Sequence, residues 1–189
     1  MVDNNFIIPT IKYTQRETTI VNILKENQYL KLESFLNVGF HDWQQDGRHW
    51  WIRVCEANNI EWKILEIYKP NVKNALDGGC PPEKIILGNI MDVDKYENVD
   101  CLFFWHGPEH IKKQDFIKKL PEIEKKANKL IIFGMPLGHE SQGAAYGNPH
   151  EKHVSDWYRK DWEDLGYTVI EVYDRKPAHI TVFKILKNE

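Results

Sequence analysis

Cysteine is scarce in this chain. Cys55, Cys80 and Cys101 are odd in number and follow neither a CxxC pattern nor a framework spacing. That excludes a disulfide-stapled fold and points to a reducing compartment. A charge excess is missing too: 25 Lys and Arg stand against 28 Asp and Glu, a net −3. Phosphate binding needs a strong positive field, so a general nucleic-acid binder is not expected. No apolar run approaches the roughly 20 residues that cross a bilayer, so no membrane partner is expected. Met1 leads into Asp3, Asn4 and Asn5 rather than a basic and then an apolar segment. No signal peptide is therefore expected, and the expected location is cytoplasmic. Repeats, low-complexity tracts and linkers are absent, and 189 residues suit one α/β domain.

What is present is a series of apolar runs separated by helical patterns. The most informative is Val99-Asp100-Cys101-Leu102-Phe103-Phe104-Trp105, which ends in His106-Gly107-Pro108-Glu109-His110. A second run, Leu130 to Pro136, follows a charged segment from Ile111 to Asn128 whose Phe116, Ile117, Leu120 and Ile123 share one helical face. Continuous apolar runs joined by a helix are what a parallel sheet covered on both faces requires. Ligands of such sheets sit beyond the carboxyl ends of the strands, where His106, Glu109 and His110 fall.

Upstream, the periodicity predicts a helix over Thr18–Leu30 in an accessory segment, residues 1–32, whose helix is a candidate contact for a homo-oligomer. Residues 33–189 then form the main domain. Strands are predicted at Phe35–Gly39, Glu61–Ile67 and Lys84–Gly88, with helices over Arg48–Ala57 and from Pro70 to Gly78-Gly79. Near the end, His153–Leu165 reads as a helix stopped by Gly166. Tyr167–Tyr173 and His179–Ile185 are joined by too short a connection for a crossover, so they form an antiparallel hairpin.

Alternating strand–helix units followed by a terminal hairpin resemble the class I S-adenosylmethionine-dependent methyltransferases over roughly residues 33–187. The resemblance implies a Rossmann-like α/β fold: a mostly parallel seven-stranded sheet, helices on both faces and a C-terminal antiparallel hairpin. In that family an acidic-x-Gly-x-Gly-x-Gly turn follows the first strand. Here it reads Asn37-Val38-Gly39-Phe40-His41-Asp42-Trp43, with one motif glycine kept and the acid replaced by an amide. Glu66, followed by Ile67, matches the acidic position that binds the ribose hydroxyls; a carboxylate accepts two hydrogen bonds side by side, which suits a diol. Asn89 stands where an aspartate often meets adenine, with Ile90 or Met91 packing the ring. The implied cofactor is S-adenosylmethionine, lying across Asn37, Gly39, Phe40, Glu66, Ile67, Asn89, Ile90 and Trp105.

The acceptor side is implied by Glu109-His110, similar to a pair that some small-molecule methyltransferases carry after the fourth strand. His106 and His110 are the candidate bases, since a histidine titrating near neutrality can take a proton from an attacking hydroxyl or amine. The loop from Gly138 to His153 is the longest irregular segment, and long loops in compact domains are often lids or binding loops. With Glu109 it supplies His139, Asn148 and His153 as candidate contacts for a small polar acceptor. His139, His150, Glu151 and His153 could also gather around a divalent ion. No cysteine partner lies nearby and the HExxH pattern is absent, so no metal is expected. A different class of function stays open: a methyltransferase-like domain that has lost cofactor binding and serves as a binding or scaffold protein. It would show Phe40 or Trp43 filling the cofactor pocket.

Overall fold

The structure is a computed structural model and describes residues 6–40, 43, 49–145 and 147–186. His41 and Asp42 of the turn, and Arg48 at the expected helix start, lie outside the described residues. The elements run α1 (Gln15–Glu26), β1 (Ser34–Val38), α2 (Trp50–Ala57), β2 (Glu61–Glu66), α3 (Lys69–Asp77), β3 (Ile85–Leu87) and β4 (Val99–Trp105). They continue with α4 (Lys113–Glu124), β5 (Ala127–Pro136), α5 (Arg159–Asp164), β6 (Thr168–Val172) and β7 (His179–Ile185). The seven strands make one sheet in the order β3-β2-β1-β4-β5-β7-β6. β1 to β5 pair in parallel, and β7 lies antiparallel between β5 and β6. This is the Rossmann-like arrangement that the alternation implied.

Residue alternation divides the core. Leu36, Leu102, Phe104, Ile131 and Phe133 face one side of the sheet, with Phe116 and Leu120 of α4 and Trp162 of α5 packed on them. Phe35, Ile64, Cys101, Phe103 and Ile132 face the other, under Ile20 and Leu24 of α1 and Trp51 and Ile52 of α2. Because both faces are covered, the central strands carry apolar residues on both faces, which is the near-continuous run seen in the sequence.

Three boundaries differ from expectation. The first helix starts at Gln15, because Thr14 and Glu17 form a reciprocal cap, and it ends at Glu26 instead of reaching Leu30. The helix after β4 stops at Glu124, and β5 begins at Ala127. The largest change is at His153–Leu165, where only Arg159–Asp164 is helical. The chain from His153 to Tyr158 runs extended because its polar groups are claimed by other elements. Val154 and Ser155 donate their N–H groups to the Glu109 carbonyl at 2.8 and 3.1 Å, and Gly138 N–H reaches the Trp157 carbonyl at 2.7 Å. Trp157 is fully buried against Phe116 and Trp162. Among the described residues no helix is long and apolar enough to cross a membrane.

Candidate active site

In the strand order, β1 and β4 are neighbours from which the chain runs outward in opposite directions, so a crevice opens beyond their carboxyl ends. A cavity of about 540 Å³ lies there. Its lining includes Asn37, Gly39, Phe40, Glu66, Ile67, Asn89, Ile90, Trp105, His106, His110 and Asn148. Eleven residues far apart in sequence thus come to one wall because each ends, or follows, a parallel strand.

On the β1–β3 side, Glu66 is 2% exposed. Its Oε2 accepts the Phe40 N–H at 3.0 Å and its Oε1 the Tyr68 N–H at 2.6 Å. The Asn71 side chain adds a third donor to the carboxylate. Burial pushes the carboxyl above its ordinary pKa, against the lowering effect of the Tyr68, Phe40 and Asn71 hydrogen bonds. Gly39 has φ +76°, and a Cβ there would meet nothing within 4 Å, so glycine is required by backbone conformation with open space in front of it. Asn37 donates from its side-chain amide to the Gly39 carbonyl at 2.6 Å, holding the turn from within. Asn89 accepts the Met91 N–H on its side-chain oxygen at 2.9 Å, so that carbonyl shapes its own loop. Trp43 does not line the cavity; its indole N–H donates to the Gly78 carbonyl at 3.1 Å.

On the β4–β5 side, Trp105 stacks on Phe103 and on His179. Its ring occupies the space over Gly134, where a Cβ would sit 1.9 Å from Trp105 Cε3. His106 holds a positive φ of 49°, uncommon for a non-glycine residue and a form of strain that clusters at functional sites. Its Nδ1 lies 3.2 Å from Glu109 Oε1, and its Nε2 is 3.3 Å from Arg16 Nη1. A carboxylate can only accept, so Nδ1 carries the proton and Nε2 is the basic nitrogen. Glu109 does not line the cavity. It is 2% exposed beneath His106, and its Oε2 is buried without a hydrogen-bond partner among the described residues.

The loop residues separate. Asn148 lines the cavity and accepts the His150 N–H on its side chain. His139 stands away from the cavity, paired at 3.1 Å with Asp156 and with 72% of its side chain exposed. His139, expected as an acceptor contact, does not line the cavity. His153 lies behind His110, their rings 5.0 Å apart, with Nδ1 2.6 Å from the Glu140 carbonyl.

Two site residues were not legible in the sequence. Arg16 of α1 reaches His106 and is held by Asp174 at 2.9 Å. His179 is fully buried at the start of β7, 3.4 Å from Arg16 Nη1. Burial, with His106, Arg16 and Arg175 around it, pushes its pKa down to about 2, so it stays neutral. The Thr14-x-x-Glu17 cap was the one available signal for Arg16, since it places that residue in the first turn of a helix.

No protein-family model matches the chain, and no curated protein matches it in sequence. Solved structures do match in fold. A SAM-dependent methyltransferase from Archaeoglobus fulgidus is similar at TM-score 0.56 and 12% identity, over 91% of this chain and 95% of that one. Magnesium protoporphyrin IX methyltransferase from Synechocystis, with bound SAH, is similar at TM-score 0.60 and 9% identity, over 95% and 90%. The small RNA methyltransferase HEN1 aligns at TM-score 0.54 and 11% identity over 96% of this chain but 27% of its own. The chain therefore has the class I SAM-dependent methyltransferase fold.

Proposed function

We propose that the protein transfers a methyl group from S-adenosylmethionine to a small polar acceptor. The observation that carries this reading is Glu66: a buried carboxylate at the end of β2, facing a cavity of about 540 Å³ that opens beyond Gly39. A carboxylate at this place is the acceptor that ribose hydroxyls require. Asn37, Gly39 and Phe40 flank the amino-acid end of the cofactor, Ile67 the sugar, Asn89 and Ile90 the adenine, and Trp105 closes the wall. A cavity of this size is in the range of small-molecule sites, with room for cofactor and acceptor together. Residues 33–189 carry the reaction and the segment 1–32 contributes Arg16 to it.

Methyl transfer is an in-line displacement, so holding the acceptor atom and the sulfonium in line supplies much of the acceleration. Of the two candidate bases, His106 has the better geometry: Glu109 fixes its tautomer, leaving Nε2 to take the acceptor's proton. An acceptor reaching that nitrogen displaces the Arg16 guanidinium. The scaffold alternative needed Phe40 or Trp43 to fill the pocket. Trp43 packs on Gly78 instead, and Phe40 stands at the cavity wall, which favours the enzyme reading.

The test is calorimetric titration with S-adenosylmethionine and S-adenosylhomocysteine. Micromolar binding is expected, weakened about 30-fold by Glu66→Ala, as loss of hydrogen bonds to a charged acceptor predicts. No heat with either ligand, from folded protein at high concentration, would return the chain to the scaffold class.

A further inference from the structure

We propose that Glu109, His110 and His153 together hold a divalent first-row transition-metal ion at the acceptor end of the cavity. One ligand atom from each of the three lies within 4.8 Å of the other two. A small contraction brings such a set onto a single ion with bonds of about 2.0–2.2 Å.

The donor atoms are prepared for this. Glu109 is 2% exposed, its Oε1 is occupied by His106 at 3.2 Å, and its Oε2 is buried with no partner. An ionised oxygen taken out of water and left unpaired is expensive, and a cation is the partner that restores the balance. His110 places Nδ1 3.2 Å from the Lys152 carbonyl, and His153 places Nδ1 2.6 Å from the Glu140 carbonyl. Carbonyls only accept, so both Nδ1 atoms carry protons and both Nε2 atoms present lone pairs. Metal-bound histidines are oriented in this way, by a hydrogen bond from the nitrogen that does not ligate.

The backbone also fixes the set. Glu109 and His110 sit on the short turn Pro108–His110, and the Glu109 carbonyl receives the N–H groups of Val154 and Ser155, next to His153. The two parts of the ligand set are thereby tied to each other. Two imidazoles and one carboxylate select Mn²⁺, Fe²⁺, Co²⁺ or Zn²⁺ over Mg²⁺, which prefers oxygen ligands. Three protein ligands leave coordination positions open, and His110 brings the set to the cavity wall. The binding of the ion stands apart from the methyl-transfer reading. Its use rests on that reading: an acceptor oxygen on the ion would lose its proton more readily.

The experiment is titration of metal-free, full-length protein with Mn²⁺, Co²⁺ and Zn²⁺ in turn, by calorimetry and, for Co²⁺, by visible absorption. One equivalent per chain is expected, with a Co²⁺ spectrum that changes on binding. His153→Ala and Glu109→Gln should each weaken binding at least tenfold, with circular dichroism showing that both variants fold; His153→Gln covers the case in which His153→Ala does not. Absence of binding at millimolar metal, or binding unchanged in the folded variants, overturns the proposal. Parallel titration with S-adenosylhomocysteine separates the two readings. Cofactor binding without metal defeats only the metal site, and metal binding without cofactor defeats only methyl transfer.

Discussion

Two buried carboxylates flank β4, Asp100 near its start and Glu109 just past its end, and they have opposite surroundings. Asp100 is fully partnered: its Oδ2 accepts from Lys129 Nζ at 2.9 Å and from the Glu33 N–H at 2.8 Å, tying the start of β4 to β5 and to the approach to β1. Burial pushes its pKa up, but the Lys129 hydrogen bond and charge and the Glu33 N–H outweigh it and hold the carboxyl below its ordinary value. Glu109 has one oxygen on His106 and the other on nothing. The same strand therefore carries one acid that stabilises the sheet and one that is left incomplete by the protein alone. In an open α/β sheet the difference follows from which end of the strand each residue occupies: the amino end is framework and the carboxyl end is where ligands arrive.

Substitution can break this comparison. Asp100→Ala leaves the Glu33 N–H without its acceptor and the Lys129 ammonium with the Lys31 carbonyl but no counter-charge, and urea denaturation should show a loss of about 2 kcal/mol with S-adenosylhomocysteine affinity unchanged. A neutral result would make the Asp100 pair an ordinary surface contact. Glu109→Gln replaces a buried carboxylate that has one oxygen unpartnered among the described residues, so the metal-free protein should be as stable as wild type or up to about 1 kcal/mol more stable. A loss as large as that of Asp100→Ala would show that Glu109 is framework after all.

Acidity sharpens the contrast further, with the smallest effect. Because the folded-state pKa of Asp100 is lowered, its contribution is fully present above the ordinary carboxylate value and is lost as pH falls through the lower folded value. Glu66 runs the other way. Its pKa is raised in the free protein, and ribose hydroxyls donating to it favour the ionised form. S-adenosylhomocysteine affinity should therefore climb as pH rises through that raised value and level off above it. The same titration of Glu66→Gln should be flat; an identical profile in both proteins would remove Glu66 from the binding role.

Much of this was legible in the sequence, and what was not has a physical reason. β7 was read at its observed limits, His179–Ile185, because alternation and a short connection specify a hairpin locally. Gly39, Glu66 and Asn89 were named on the resemblance to methyltransferases, and all three line the cavity because each ends or follows a parallel strand. Arg16 was missed because it meets His106 from 90 positions away in the sequence, and no local pattern encodes that meeting. The helix predicted from His153 failed for a similar reason. His153–Tyr158 is held extended by partners on the loops after β4 and β5, and tertiary hydrogen bonds override local preference there. His139 was grouped with His153 by proximity in sequence, whereas the fold places one at the surface and the other behind His110.

The link between Gly138 and Trp157 is joined by others across the loop they enclose: the His153 N–H donates to the Gln142 carbonyl at 3.0 Å and the Gln142 side chain to the Glu151 carbonyl at 2.8 Å. The backbone enters and leaves this region at fixed points, and Trp157 anchors the exit in the core. Val154 and Ser155, the residues after His153, donate their N–H groups to the Glu109 carbonyl, so the returning chain is fastened to the turn that carries Glu109 and His110 as well as to the core.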